Sequence, residues 1–212
     1  MNAVLARISA AHRFVLALAL AGGGAVHAQQ PAPDFSKVEI KTTQIAPDFY
    51  TLEGLGGTVS VLTGSDGVLL VDSQFAPLTD KLVAAIKKIS TKPIRFLINT
   101  HLHGDHTGGN ENFAKLGAVI FSRDQLRERL ERPALKADGT PGKPAPTLAL
   151  PVVTYDGPVS IHLDGEDVRL IPIRNAHTDG DTLISFTNHD ILAVGDYYRG
   201  VGNPYEIGRA HV

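Results

Sequence analysis

The chain has no cysteine among its 212 residues. That excludes a disulfide framework, any thiolate ligand to a metal, and a lipid-modified N-terminal cysteine, so a packed core or a bound metal has to hold the fold together. No apolar run is long enough to cross a bilayer, for which about 20 consecutive apolar residues are needed. Basic clusters are missing as well. The 20 Lys and Arg stand against 22 Asp and Glu, for a formal charge of −2, and no stripe of them offers a nucleic-acid backbone its counter-charge. With 43% hydrophobic and 20% charged residues, the composition excludes a disordered or fibrous chain and suits one well-buried domain.

What is present begins with a leader. Arg7 and Arg13 precede an apolar run from Phe14 to Leu20, followed by small residues and then Ala25-Val26-His27-Ala28 before Gln29. This is the layout of a secretory signal peptide over residues 1–28, with small residues at the cleavage positions and no paired-arginine signal. A periplasmic or secreted protein without a membrane anchor is expected. Cleavage would remove two bases, Arg7 and Arg13, and no acid, moving the formal charge from −2 to −4. Residues 29–37, Pro-rich from Gln29 to Asp34, read as a linker, and residues 38–206 as the folded domain.

The stretch that organises this domain is Thr100 to Asn110, Thr-His-Leu-His-Gly-Asp-His-Thr-Gly-Gly-Asn. His101, His103, Asp105 and His106 place four metal-ligand side chains in six residues, a density that packing does not explain. Imidazole and carboxylate together suit zinc and its first-row neighbours. Gly104, Gly108 and Gly109 are expected to supply positive φ angles and close backbone approach. The buried strand Ile94 to Ile98 delivers the chain to the loop, and a helix from Asn110 to Leu116, with Asn110 near its cap, leaves it. Residues two apart in an extended chain project to one side, so His101 and His103 can share one ion while Asp105 and His106 reach a second.

Upstream, Val38 to Ile40, Phe49 to Leu52, Thr58 to Leu62 and Val68 to Val71 read as four short strands joined by antiparallel turns. Asp72 then either caps the next turn or, as an outer carboxylate, hydrogen-bonds the metal loop or a ligand histidine. Pro77 to Ile89 is an amphipathic helix with Leu78, Leu82, Ala85, Ile86 and Ile89 inward and Lys81, Lys87 and Lys88 solvated. After the metal loop come a strand Ala118 to Phe121 and a helix Arg123 to Glu131. Residues Arg132 to Pro151 carry too much proline and glycine for a regular element and read as a flap beside the site. A hairpin Val159 to Leu163 and Val168 to Pro172 leads to His177 in a loop rich in Asp, Gly and Thr, where Asp181 is a further outer carboxylate. A second hairpin, Thr182 to Thr187 and Ile191 to Val194, ends at Gly195-Asp196. His162 and His189 read as surface residues.

The series His101-x-His103-x-Asp105-His106, then His177, then Asp196 resembles the metallo-β-lactamase superfamily from about Val38 to Tyr205. The resemblance implies an α/β (α+β) fold of αββα sandwich type with a dinuclear site at one edge. It implies His101, His103 and His177 on the first ion, Asp105 and His106 on the second, and Asp196 bridging. Two zinc ions are expected, with iron or manganese as alternatives. Two cations about 3.5–4 Å apart lower the pKa of a shared water to about 7, and Asp105 can orient that water and take its proton. An exported hydrolase of ester, thioester, lactone or amide bonds in a small-molecule substrate follows. A bridging aspartate is similar to hydroxyacylglutathione hydrolases and lactonases; a β-lactamase of the all-histidine subclass is the alternative, and a mononuclear iron persulfide dioxygenase or a non-catalytic metal-stabilised binding protein are the readings from other classes. Tyr197, Tyr198, Asn203 and Tyr205 are candidate hydrogen-bond donors to an oxyanion.

The family supplies one more histidine to the second ion, and no residue here is matched to it. Ile207 to Val212 can be encoded by a string matching the start of a widely used sequencing adapter, whose preceding AG completes a codon for Glu206. Residues 207–212, His211 included, are therefore expected to be a non-native tail on a domain truncated near Tyr205.

Overall fold

The computed structural model describes residues 33–136 and 138–198. The signal peptide 1–28, Asn203, Tyr205 and the tail 207–212 lie outside the described residues. Two sheets carry the fold. The larger takes its strands in sequence order: β1 (Lys41–Ala46), β2 (Phe49–Glu53), β3 (Val59–Thr63), β4 (Val68–Val71), β5 (Ile94–Ile98), β6 (Val119–Arg123) and β7 (Val153–Tyr155). β1 to β4 are antiparallel neighbours, and β4 to β7 run parallel. The smaller sheet is antiparallel, in the order β11 (Ile191–Ala193), β10 (Thr182–Phe186), β9 (Glu166–Pro172), β8 (Val159–Leu163).

The apolar pattern explains the layers. β3 and β4 are buried along their whole length, so neither face can meet water. One face, with Leu52, Val59, Val61, Val68, Leu70, Leu97 and Ile120, packs on Leu78, Leu82 and Ile86 and on Phe113. These belong to helix α1 (Thr79–Ile89), its preceding 3-10 turn Ala76–Leu78, and, beyond the short α2 (Gly104–Thr107), helix α3 (Asn110–Lys115). The other face, with Phe49, Leu62, Leu69, Val71 and Ile98, meets Leu163, Val168, Leu170, Ile184 and Phe186 of the small sheet. Each such side chain contributes about 1.5–3 kcal/mol when fully buried. The outer face of the small sheet presents Ser160, His162, Asp167 and Arg169 to solvent, the polar half of a period-2 alternation. Helix, sheet and sheet of the αββα arrangement are thus supplied by the described residues.

Several elements differ from the sequence reading. Val38 to Ile40 is not a strand; the edge strand is Lys41–Ala46, whose polar, Thr-rich alternation carries little apolar signal because it is mostly exposed. The expected linker contains a 3-10 turn, Phe35–Lys37, capped by Asp34. Lys81 is not simply solvated: its Nζ donates to the carbonyls of Phe35, Ser36 and Val38 at 3.1, 2.7 and 2.6 Å and ties that turn to α1. The β8–β9 connection is a two-residue turn, with Asp164 at φ 55° and Gly165 at φ 77°. The proline-rich stretch contains a 3-10 turn at Thr147–Ala149 and is followed by the short strand β7, which three residues were too few to announce. The helix after β6 is α4 (Asp124–Glu131).

Candidate metal centre

Strand β5 ends at Ile98, and the polar Asn99, Thr100 and His101 that follow are all buried. Buried polar groups need partners, and the loop is built from them. Asn99 and Asn110 exchange side-chain amide hydrogen bonds (2.8 and 3.1 Å), while Ser73 N–H and Asn99 Nδ2 donate to the His106 carbonyl. Asn110 is therefore a buried strut under the loop rather than a cap; Gly109 holds the cap position of α3.

Gly108 and Gly109 act by size, whereas a Cβ on Gly104 would meet open space, so neither expected reason for a glycine applies there. Gly104, Gly108 and Gly109 have no positive φ, because the loop enters α2 directly and Gly108 and Gly109 keep helical angles. A Cβ on Gly109 would lie 2.4 Å from the Ser73 carbonyl oxygen, so close approach is the requirement there. The left-handed backbone falls on Asp72 (φ 67°) and Gln74 (φ 52°) in the segment beneath the loop.

Asp72 organises the donors. Its Oδ1 accepts from Thr100 N–H at 2.8 Å, and its Oδ2 accepts from Thr100 Oγ1 and His106 Nδ1, both at 2.7 Å. Thr100 Oγ1 has given its only proton to Asp72, so the 3.0 Å contact with His101 Nδ1 has the imidazole as donor. The proton of His101 sits on Nδ1, and its Nε2 presents a lone pair to the site. His106 is held the same way, directly, and its buried Nε2 has no hydrogen-bond partner. The sequence left two roles open for Asp72; its hydrogen bonds run to the loop backbone and to the candidate ligand His106.

Three imidazole nitrogens then meet. His101 Nε2 lies 3.1 Å from His103 Nδ1, which lies 3.0 Å from His177 Nε2. A tetrahedral ion with bonds of about 2.0–2.1 Å separates its ligands by about 3.3 Å, so this triangle is close to a first-row coordination face. A second group gathers at its side. His106 Nε2 is 3.3 Å from Asp196 Oδ1 and 3.7 Å from Asp105 Oδ2, and Asp196 Oδ2 is 3.8 Å from His177 Nε2. Two ligand clusters result, His101 with His103 and His177, and His101 with His106 and Asp196. Asp196 faces both, while Asp105 stands at the margin of the second in the first turn of α2. The donor set and the unsatisfied His106 Nε2 fit divalent metal. Burial and the neighbouring imidazoles hold His101 neutral, as a ligand must be. Burial opposes a charge on His106, yet Asp72 and Asp196 outweigh it and push that imidazole up to about 10, and the His106 ring 3.3 Å away holds Asp196 well below the usual carboxylate range.

Asp181 is buried and accepts from the Thr178 N–H within the His177 loop; burial raises its pKa to about 6. Tyr197 is half-buried and Tyr198 exposed. Beside the ligands opens a cavity of about 440 Å³ lined by Ser60, Asp72, Thr100, His106, Gly195 and Asp196. The residues 132–151 anchor behind the loop, where Ala149 O accepts from Asn110 Nδ2. His189 is not an ordinary surface residue: it is wedged between the buried Glu166 and Asp48 and belongs to neither ligand cluster. The sequence reading passed over Ser73, Asn99, Thr100 and Arg123. The signal for Asn99 and Thr100 was a polar pair following an apolar strand, and for Arg123 a charged residue closing one.

The chain matches the family model described as the metallo-beta-lactamase superfamily over residues 52–205. A curated relative, 2,4-dinitroanisole O-demethylase subunit alpha of Nocardioides sp. (strain JS1661), is 26% identical over 82% of the chain and 51% of its own length. The class B3 di-zinc metallo-beta-lactamase from an Alaskan soil metagenome superposes with a TM-score of 0.61 at 17% identity, covering 73% of this chain and 60% of that one. The subclass B3 metallo-beta-lactamase of Bradyrhizobium japonicum gives 0.56 at 21% identity, with 71% and 58% covered. The chain spans about half the length of that curated relative and about three fifths of those solved structures.

Proposed function

The chain belongs to the metallo-beta-lactamase superfamily, and from that premise we propose that it is an exported, zinc-dependent hydrolase of ester, thioester, lactone or amide bonds in a small molecule. The observation that carries the reading is the meeting of His101 Nε2, His103 Nδ1 and His177 Nε2 within 3.0–3.1 Å contacts, beside His106 Nε2 and Asp196. His101, His103 and His177 would hold one zinc; His106 and Asp105 would hold a second, with Asp196 between them. Bound zinc supplies a Lewis acid for the carbonyl oxygen and lowers the pKa of water to about 7. The chain's own residues do the rest. Asp72 fixes the tautomers of His101 and His106, and Asp105, on a short helix at the rim, accepts the proton of the attacking water and passes it to the leaving group.

The test is hydrolysis of a panel of activated esters, thioesters, lactones and β-lactams by zinc-loaded protein and by a chelated control. Turnover that disappears with chelation and in His101→Ala and His177→Ala is expected; wild-type turnover in either variant sinks the assignment. Asp105→Asn keeps at least one ion and loses most turnover, since an amide neither carries the charge nor takes the proton. β-Lactam cleavage is the second reading, supported by the likeness to subclass B3 structures. The name of the curated relative adds aryl methyl ethers to the panel. Metal analysis separates these from an iron redox enzyme: zinc approaching two per chain supports hydrolysis. Export agrees with the sequence of residues 1–28 and with the finding that no helix among the described residues is long and apolar enough to cross a membrane. A mature N-terminus at Gln29 is the expected product.

A further inference from the structure

Arg123, at the end of β6, is only 2% exposed. Burying a guanidinium is costly unless its donors are taken up; Nη1 serves the loop that carries His177, Nη2 serves Asp156 after β7, and Nε has no partner among the described residues. Nη1 donates to the carbonyls of Ile173 at 3.0 Å and Asp179 at 2.8 Å, and Nη2 pairs with Asp156 Oδ1 at 2.6 Å. Ile173 and Asp179 flank His177, four residues before it and two after. The same loop is closed at its base by Ile173 N–H donating to Asp181 O, and joined to the metal loop by Thr182 N–H donating to Thr100 O. A second observation is independent of Arg123. Arg129 of α4 grips the Asp179 carboxylate through Nε and Nη2, at 3.1 and 2.8 Å. Gly180 lies so close to α4 that a Cβ there would sit 3.1 Å from Leu126 N.

We infer that Arg123 is a positioning residue for His177, a guanidinium clamp that fixes the third first-site ligand by holding both shoulders of its loop. The inference rests on the reading of His101, His103 and His177 as a zinc site. His103 arrives on the large sheet's metal loop and His177 on a loop from the small sheet, so nothing local sets their 3.0 Å approach. Arg123 does so from β6, the strand beside β5, at the sheet end where the metal loop emerges. Without the fork, two carbonyls lose their donors, and the loop recovers those bonds most readily by swinging toward water and taking His177 with it. Lysine cannot replace it, because a single ammonium on a flexible stem does not reproduce a planar fork that serves two carbonyls and a carboxylate.

The test uses the full chain, titrated with zinc against a competing chelator and, separately, with cobalt(II), whose visible bands report coordination geometry. Arg123→Met and Arg123→Lys are expected to weaken the first ion by about 10–100-fold, the usual cost of losing an outer support of a ligand, and to change the cobalt bands. Arg129→Met, which loosens only the Asp179 side, is expected to weaken it by less than tenfold and keeps the question answerable if Arg123→Met does not fold. A residue that merely stabilised the fold would lower the unfolding temperature and leave first-ion affinity and cobalt bands at their wild-type values; that result overturns the inference. His177→Ala is the control. If it loses the first ion while the Arg123 variants keep it, the clamp fails and the zinc site stands; if it too keeps the ion, the site reading fails and takes the clamp with it.

Discussion

Asp72 shows how much of the centre one side chain carries. Its two oxygens accept three hydrogen bonds, from Thr100 N–H, Thr100 Oγ1 and His106 Nδ1, and through them the imidazoles of His101 and His106 turn their Nε2 atoms to the ligand clusters. The residue sits at φ 67°, a left-handed angle that asparagine tolerates and alanine does not. Asp72→Asn therefore separates charge from backbone. It keeps the turn but offers one acceptor oxygen in place of two and puts an amide beside a histidine donor. Zinc affinity measured by chelator competition is expected to fall by about 10–100-fold. Asp72→Ala is expected to lose at least as much and to lower stability as well. Unchanged affinity in Asp72→Asn would mean that the loop backbone alone orients the two rings.

At the scale of elements, three turns meet in the Glu166, His189 and Asp48 cluster. Glu166 opens β9 and is buried, His189 lies in the β10–β11 turn, and Asp48 lies in the β1–β2 turn of the other sheet. His189 thus bolts the edge of one sheet to the other. Its hydrogen bond to Glu166, with help from Asp48, raises the imidazole pKa above the ordinary 6.5. A raised folded-state pKa gives stability that is full below the unfolded value and lost as pH climbs through the folded one. The wild type is therefore expected to lose stability from about neutral pH upward relative to His189→Ala, measured by urea unfolding of metal-free protein at pH 6 and pH 9. The variant itself is expected to cost about 2 kcal/mol at pH 6, since Glu166 keeps the N–H bonds from Asp167 and Asn188 but loses its charged partner. Equal pH slopes in the two proteins would show that His189 does not titrate in that range.

For the whole molecule, the candidate ligands come from both halves of the sandwich. His101, His103, Asp105 and His106 follow β5 of the large sheet, while His177 and Asp196 follow β9 and β11 of the small one. A bound ion therefore cross-links the sheets at one end, as His189 does elsewhere. Ligand present at 100 times its dissociation constant stabilises by about 2.7 kcal/mol, which for a chain of this length is roughly 5–10 °C in the unfolding midpoint. Chelation is expected to lower the midpoint by that amount in calorimetry, and His177→Ala is expected to abolish most of the difference. Identical midpoints with and without chelator would exclude a metal that bridges the sheets.

Much of this was legible in the residues themselves. The run from His101 to His106 pointed to a candidate metal loop because ligand types rarely crowd so closely, and β4 stood out as a continuous apolar run because both of its faces are covered. His177 and Asp196 were legible as polar residues at strand ends. Other features had no local signature: β1 is exposed and polar, β7 is three residues long, and the half-buried Lys81 and His189 look like any surface lysine or histidine until their partners arrive. Sequence determined which side chains ligate best, since that is a property of residue type. Only tertiary structure decided which of them meet, because His103 and His177 are brought together by two sheets packing face to face. It also set which nitrogen His101 and His106 present, because Asp72 reaches Thr100 and His106 across the fold.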